Sequence, residues 1–193
     1  MRLFTGIDLA PEILLRLERL ITALRPEALI KWSPLDNLHV TIKFIGEWPE
    51  SDLDRLHEVL ASLPPREPFS VEIRDLGWFP NEGSPRVLWA GIHGGEALES
   101  LAQDVEQRLE TLGINKEGRV FAPHLTLARI KNPVPLQRLR QKVREMQPAA
   151  LGHFSVSRFV LFRSEPGSNA SIYRRLREYA LEPTESALAA RNA

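Results

Sequence analysis

A short pattern of alternating side chains occurs twice in this chain of 193 residues. The stretch NLHVTIKFIG (37–46) carries His39 and Thr41, and FAPHLTLARI (121–130) carries His124 and Thr126. Both stretches have the composition of strands. Because side chains alternate between the two faces of a strand, each His shares a face with the Thr two positions later, and apolar residues take the other face. The two strands indicate an internal repeat offset by 85 residues, and they predict two lobes whose sheets face each other across a cleft.

The remaining elements do not follow the regular succession of a parallel α/β fold. Apolar residues recur at helical spacing after Pro11, and the pattern ends before Pro26. The other predicted helices cover 51–62, 96–112 and 136–146, and the other predicted strands cover 2–9, 29–32, 69–78, 86–93, 152–162 and 171–181. Turn residues at 81–85 and 166–169 predict hairpins.

These patterns predict an α+β fold. We expect a bilobal molecule with two antiparallel sheets and flanking helices, facing each other across a central cleft with a pseudo-two-fold internal repeat. We also expect a single domain over 1–183 and a flexible tail over 184–193, where the sequence is small and polar.

Composition excludes several classes of protein. The chain has no cysteine, so it has neither disulfides nor thiolate metal sites. No stretch approaches the roughly 18 apolar residues of a membrane helix, and the N-terminus reaches acidic residues too soon for a signal peptide. We therefore expect a cytoplasmic protein without membrane association. We also expect a monomer.

The net charge of zero hides an asymmetry. Residues 1–117 hold 12 Lys and Arg against 20 Asp and Glu, whereas residues 118–177 hold 12 against 2. A basic segment around one His-x-Thr strand indicates an anionic partner such as an RNA backbone. An equally good interpretation is that the basic residues of the predicted helix over 136–146 are only its solvated face; they are Arg138, Arg140, Lys142 and Arg144.

Imidazole is the side chain that titrates near neutral pH without help. Two imidazoles across a cleft can share a phosphoryl displacement, because the neutral one takes a proton from water and the protonated one gives a proton to the leaving oxygen. The threonine hydroxyls can hold the non-bridging oxygens as they gain charge. The pattern therefore predicts hydrolysis of a strained phosphodiester, such as a cyclic one, without a metal or another cofactor.

Other interpretations of the histidines are weaker. A single His-x-Thr on a strand is usually a surface or core feature. A metal site would need a third ligand, and the chain has neither cysteine nor His-x-x-x-His. A Ser-His-Asp site would be expected with a Gly-x-Ser-x-Gly turn, which does not occur. We expect the other histidines, His57, His93 and His153, to be structural or solvent-facing.

Four stretches together carry a family resemblance: the opening RLFTGIDLAPE, NLHVTIKFIGE, FAPHLTLARI and the closing YRRL at 173–176. The chain resembles the 2H phosphoesterase superfamily, and closely the RNA 2′,3′-cyclic phosphodiesterases, also called 2′-5′ RNA ligases. The resemblance implies metal-free hydrolysis of RNA ending in a 2′,3′-cyclic phosphate to a 2′-phosphate. It also implies roles for five residues: His39 as proton donor, His124 as proton acceptor, Thr41 and Thr126 as phosphate-binding residues, and Arg129 as a substrate contact.

Three candidate substrate-binding residues raise questions of placement. Arg129 has the wrong parity to share the face of His124, so either the strand ends or bulges near Ala128, or Arg129 reaches around an edge. Lys43 has the parity of His39, and we expect its cation to contact the phosphate or the next nucleotide; a solvated strand end is the alternative. Phe4 is the candidate for contact with a base.

The expected partner is RNA with a 2′,3′-cyclic phosphate end, or a cyclic nucleotide. Two other functions remain open. The chain could bind RNA ends or nucleotides with weak turnover, or it could join RNA ends through a 2′-5′ bond as the reverse reaction. The presence of both motifs favours catalysis.

Overall fold

The structure, a computed structural model, describes residues 1–168 and 170–182. The predicted α+β class is confirmed. Within the described residues the elements follow one another as β1 (Arg2–Asp8), α1 (Pro11–Leu24), β2 (Lys31–Trp32), β3 (His39–Glu47), α2 (Leu53–Ala61), β4 (Phe69–Phe79), β5 (Val87–His93), α3 (Gly95–Glu110), β6 (His124–Arg129), α4 (Gln137–Glu145), β7 (Ala150–Val156), β8 (Arg158–Glu165) and β9 (Ile172–Ala180).

The strands form two antiparallel sheets. The first has the order β3-β1-β8-β9, and the second has the order β2-β6-β5-β4-β7. The two motif strands, β3 and β6, lie at or beside the facing edges of the two sheets and contact each other. The predicted arrangement of two sheets across a cleft is therefore confirmed, with one His-x-Thr strand on each side.

The helices join the two lobes. Helix α1 packs on β7 of the second sheet with α4 beside it, and α2 packs on β9 of the first. Helix α3 packs on β3 of the first sheet and on β4 of the second. Helix α3 thus connects two strands of the second sheet, β5 and β6, and lies against both sheets. One buried apolar cluster takes residues from both sheets and all four helices. Burial of this shared cluster favours a fixed spacing between the lobes.

One predicted strand is wrong. The stretch 152–162 is not a single strand, because β7 ends at Val156 in the second sheet and β8 begins at Arg158 in the first. Ser157 and Arg158 are both exposed, and this pair interrupts the alternation of buried and exposed residues at the crossing. The hairpin with the final strand is confirmed, but its first arm is β8.

The other element predictions agree with the structure to within a few residues, including the β4–β5 hairpin around 81–85. The predicted tail over 184–193 lies outside the described residues, and the single domain over 1–183 stays a prediction. No helix in the described part of the chain is long and apolar enough to cross a membrane.

Candidate active site

Both motif strands contain a β-bulge directly after the motif threonine. Opposite β1, Thr41 pairs with Gly6 and Lys43 with Thr5, so that Ile42 is the extra residue. Opposite β5, Thr126 pairs with Trp89 and Ala128 with Leu88, and Leu127 is the extra residue. A bulge adds one residue to one strand, so it reverses the faces of the residues that follow it. In β3 this holds as far as Ile45, where a second irregularity occurs in the pairing with β1.

The bulges decide which residues reach the cleft. Beyond them, Phe44 and Arg129 return to the face of the histidines, and both line the cleft. The bulge near Ala128, one of the alternatives left open by the parity of Arg129, is the arrangement that the structure contains. Phe44, which is 55% exposed, was not among the site residues predicted from the sequence. The internal repeat could have indicated Phe44, since its offset of 85 residues aligns Phe44 with Arg129.

The expected position of Lys43 is wrong. The bulge turns its side chain away from the cleft, where it is only 3% exposed. Its ammonium donates to Glu106 Oε1 at 2.9 Å and to the carbonyl oxygen of Asn115 at 2.8 Å, and Glu117 Oε1 lies 3.8 Å away. Lys43 therefore ties β3 to α3 and to the loop before β6, and it does not reach a phosphate in the cleft.

The cleft between the sheets is a cavity of about 560 Å³. It brings together both histidines and both threonines of the two motifs, together with Arg129 and Phe4. The other lining residues are Arg2, Leu3, Lys31, Trp32, Ser33, Pro34, Asn37, Phe44, Val87, Lys131, Ser164, Ala170, Ser171 and Tyr173. No Asp or Glu of the described chain is among them, so the cavity suits an anion.

The two histidines are held in the same way. The Nδ1 atom of His39 lies 2.8 Å from the carbonyl oxygen of Asn37, and that of His124 lies 2.8 Å from the carbonyl oxygen of Ala122. A carbonyl oxygen only accepts hydrogen bonds, so each Nδ1 carries the proton and donates. Each Nε2 is then the atom that gains or loses a proton, and that of His39 lies 3.0 Å from Thr41 Oγ1.

Aromatic rings surround His39. The Phe4 ring centre lies 4.7 Å from the imidazole, and Tyr173 meets the imidazole edge-on at 5.1 Å. Phe4 is 3% exposed and stacks on Phe162 at 5.0 Å. In this structure Phe4 packs against His39. The contact of Phe4 with a base stays a prediction. On the other side of the cleft, Phe79 packs edge-on against His124 at 4.9 Å.

Burial lowers the pKa of both motif histidines, because desolvation disfavours the imidazolium. The hydrogen bonds to Asn37 and Ala122 oppose this shift, and the positive charge of Arg129 adds to it. Asp8, which stands opposite His39 in the β1–β3 pairing, raises the pKa of His39 in part. The two imidazoles therefore differ, since the carboxylate favours the protonated form of His39.

The other three histidines lie away from the cleft, as expected. His57 is buried on α2, and its Nδ1 lies 2.7 Å from the Tyr179 hydroxyl. His93 and His153 are exposed on β5 and β7. Within 1–168 and 170–182, no three His, Asp or Glu side chains are placed to hold a metal ion together.

Residues 13–168 match the model of the 2′-5′ RNA ligase superfamily. The chain belongs to this superfamily. The family resemblance indicated by the two motifs is thereby confirmed. The matched residues include both motif strands and their bulges.

Relatives of the chain carry a common name. An RNA 2′,3′-cyclic phosphodiesterase of Aeropyrum pernix is 39% identical over 144 residues, which are 74% of this chain and 81% of the relative. The enzyme of the same name from Thermus thermophilus is 35% identical over 190 residues, covering 94% and 90%.

Solved structures have the same fold. A crystal structure of a Thermus thermophilus protein superposes with a TM-score of 0.80 at 33% identity, over 94% of this chain and 98% of that one. E. coli LigT complexed with 3′-AMP superposes with a TM-score of 0.74 at 25% identity, over 93% and 97%.

Proposed function

We propose that this protein hydrolyses the 2′,3′-cyclic phosphate at the end of an RNA to a 2′-phosphate, without a metal ion. The observation that carries the proposal is the matched pair of histidines, each fixed through Nδ1 and each lining one cavity free of carboxylates in the described chain. The names of the relatives from Aeropyrum pernix and Thermus thermophilus point to the same reaction.

The reaction is a single displacement at phosphorus. The oxygen of a water attacks the phosphorus while its proton passes to Nε2 of His124, the general base. The bond between phosphorus and the ribose O3′ breaks, and Nε2–H of His39 gives its proton to that oxygen. The products are a 3′-hydroxyl and a 2′-phosphate. The histidines exchange protonation states, and solvent restores them.

The negative charge on the phosphate needs fixed donors as it moves onto the non-bridging oxygens. Thr41, Thr126 and Arg129 take this role in the proposal, since all three line the cavity. A guanidinium presents paired N–H donors that fit two phosphate oxygens. These donors supply the charge stabilisation that a metal ion would otherwise provide.

The choice of His39 as the acid has support from its surroundings. Asp8 opposes the desolvation of His39 and favours its protonated form, whereas no carboxylate is among the causes that shift the pKa of His124. Arg129 disfavours a proton on either imidazole. The Asp8 carboxylate, which is also paired with Arg175, thus favours a proton on His39, in agreement with the assignment that the family resemblance implies.

Two alternatives use the same site. A protein that only binds RNA ends would hold the phosphate without turnover. A 2′-5′ RNA ligase would join two RNA ends, with a 5′-hydroxyl as the nucleophile in place of water. The intact pair of histidines favours catalysis over binding alone, and the abundance of water favours hydrolysis over joining.

The test uses a short RNA with a 2′,3′-cyclic phosphate end, incubated with wild type and with His39→Ala in EDTA. We expect wild type alone to produce a terminal 2′-phosphate. Product that bears a 3′-phosphate, or activity that requires added Zn²⁺ or Mg²⁺, would overturn the mechanism. RNA that binds but is not cleaved would favour the binding protein, and a joined product with a 5′-hydroxyl RNA would favour the ligase.

A further inference from the structure

Half of the twelve cations of the basic segment are held in close ion pairs. Six arginines of residues 118–177 have a carboxylate oxygen between 2.7 and 3.2 Å away, namely Arg138, Arg144, Arg158, Arg163, Arg174 and Arg175. Some of these carboxylates come from the acidic first half of the chain, such as Glu27 and Asp8. The excess of positive charge counted in the sequence is therefore offset in part, and Arg138 and Arg144 of α4 fit the solvated face better than a site for RNA.

The cations of the cleft are different. Lys31, Arg129 and Lys131 line the cavity, and none has a carboxylate oxygen within 4.0 Å among residues 1–168 and 170–182. Lys31 belongs to the acidic half of the sequence, so the charge count by segment did not indicate it. Among the described residues of the cleft, positive charge without a carboxylate partner is thus concentrated on one side.

These three side chains form a row along the edge of the second sheet. Lys31 on β2 stands directly opposite Arg129 on β6. Ile130 is buried and continues the pairing with a hydrogen bond to the carbonyl oxygen of Arg86, so Arg129 and Lys131 lie on the same side. Like charges directly opposite each other on a sheet repel. An anion between them would remove this repulsion.

Among the described lining residues the opposite rim of the cleft has one cation, Arg2, which also has no carboxylate oxygen within 4.0 Å because Glu47 is paired with the N-terminal ammonium. Arg2 stands opposite Glu47 in the β1–β3 pairing. On the side of β2 and β6, the pairing partners of Arg129 are Lys31 and Val87. With three cations on the β2–β6 rim against one on the other, the charge distribution distinguishes the two possible exits for a polyanion from the cavity.

We infer that Lys31 and Lys131 bind the phosphodiesters that precede the reacting end of the RNA, so that the RNA leaves the cleft across the β2–β6 edge. This inference rests on the proposed function, in which Arg129 and the motif residues hold the cyclic phosphate itself. Arg129 and Lys131 are two residues apart in extended backbone, which spans roughly 7 Å. The charge of Lys131 can therefore reach the phosphate next to the one held by Arg129 in an extended RNA.

The inference makes the protein selective for the chain length of its substrate. A cyclic mononucleotide has no preceding phosphate, so it cannot use Lys31 or Lys131. An oligonucleotide gains both contacts and releases counterions on binding, so its affinity falls as salt rises.

The test compares 2′,3′-cyclic AMP with a tetranucleotide that ends in a 2′,3′-cyclic phosphate. In Lys31→Gln/Lys131→Gln, which keeps long polar side chains, we expect kcat/KM for the tetranucleotide to fall about tenfold and that for cyclic AMP to fall at most about twofold. The slope of log(kcat/KM) against log[salt] for the tetranucleotide should decrease by about 1.4, or 0.7 for each lost phosphate contact on a single strand. Lys116→Gln is the matched control, because Lys116 is exposed and paired with Glu110 outside the cleft; it should change neither substrate.

Each other result has a distinct meaning. Equal losses for the two substrates would overturn the inference, and so would a larger loss for the tetranucleotide in Arg2→Gln, which would move the exit to the opposite rim. If wild type turns over neither substrate, the proposed function fails. The Kd values of 2′-AMP and of a tetranucleotide with a 2′-phosphate end then decide the inference by themselves. Tighter binding of the tetranucleotide must disappear in the double variant for the inference to stand.

Discussion

His39 and His124 share one hydrogen-bond arrangement on opposite sides of the cleft, each with its Nδ1 atom 2.8 Å from the carbonyl oxygen two residues earlier. The two hydrogen bonds are alike because each imidazole turns back toward the preceding residues of its own chain segment. Both rings are therefore fixed in the tautomer that leaves Nε2 to exchange protons. The two sides differ in their neighbours, since Asp8 lies opposite His39.

Removal of either imidazole should stop the reaction. We expect His39→Ala and His124→Ala each to lower kcat/KM for an RNA 2′,3′-cyclic phosphate about 1,000-fold, within the range for general acid and base catalysis. The double variant should lose little more, because the pair acts as a unit. Steady-state kinetics check this, with the exposed His153→Ala as the control. A multiplicative loss in the double variant would contradict a shared proton transfer.

The lowered pKa values of both histidines predict the position of the pH profile. The base is active when neutral, so the rate rises through its pKa; the acid is active when protonated, so the rate falls through its pKa. Because burial lowers both, the maximum of kcat/KM should lie below the ordinary histidine pKa of 6.5. A profile centred well above 6.5 would contradict the assignment of both limbs to these residues.

Arg129 should affect both the rate and the profile. Its positive charge lowers the pKa of His39 and of His124, so Arg129→Gln should move both limbs of the kcat/KM profile to higher pH. The same variant should lower kcat/KM about 100-fold, since a lost charge-stabilising donor costs roughly that much. Arg129→Lys keeps the charge and should leave the limbs in place. A loss of rate in Arg129→Gln with an unmoved profile would show that Arg129 acts on the substrate alone.

Phe44 is an exposed aromatic residue at the cleft and is suited to stack on a base. Base–aromatic stacking is worth about 1–3 kcal/mol, so Phe44→Ala should raise KM for a nucleotide substrate about tenfold with little change in kcat. Leu15→Ala is the control, because Leu15 is also an exposed apolar residue, 58% accessible, and lies outside the cleft. Equal KM values in wild type and Phe44→Ala would place the base elsewhere.

Lys43 should matter for stability. Its ammonium is buried and holds Glu106 and the loop at Asn115, so Lys43→Met should lower the free energy of unfolding by about 2 to 3 kcal/mol, less than a fully buried pair because Glu106 is 27% exposed. Denaturant unfolding measures this. Adding Glu106→Leu should recover part of the loss. A Lys43→Met variant that is as stable as wild type but has a raised KM for the RNA substrate would show that Lys43 contacts the substrate.

Glu106 also predicts a dependence of that stability on pH. Its hydrogen bond from the Glu117 amide, followed by its contact with Lys43, lowers the pKa of the carboxyl. A carboxyl with a lowered pKa stabilises the fold above its unfolded pKa, and the stabilisation is lost as pH falls through the folded value. Wild type should therefore lose stability in acid below the usual carboxyl pKa of 4.5, and Glu106→Gln should reduce that slope.

The sequence by itself determined the two His-x-Thr pairs, the face that each pair shares, the α+β class and the superfamily. These depend on the alternation of side chains within single strands, which is local. Only the tertiary structure decided that Phe44, and not Lys43, reaches the cleft, because a bulge exists only in the pairing of a strand with its neighbour.

The tertiary structure also decided which charged side chains are paired and which are not. Arg175 pairs with Asp8 at a separation of 167 residues, and close ion pairs hold half of the twelve cations of residues 118–177. Lys31 and Lys131 keep their charge unpaired among the described residues because the fold brings no carboxylate to their edge of the cleft. Charges near in sequence can be far apart in space, so a count by segment does not locate the anion site.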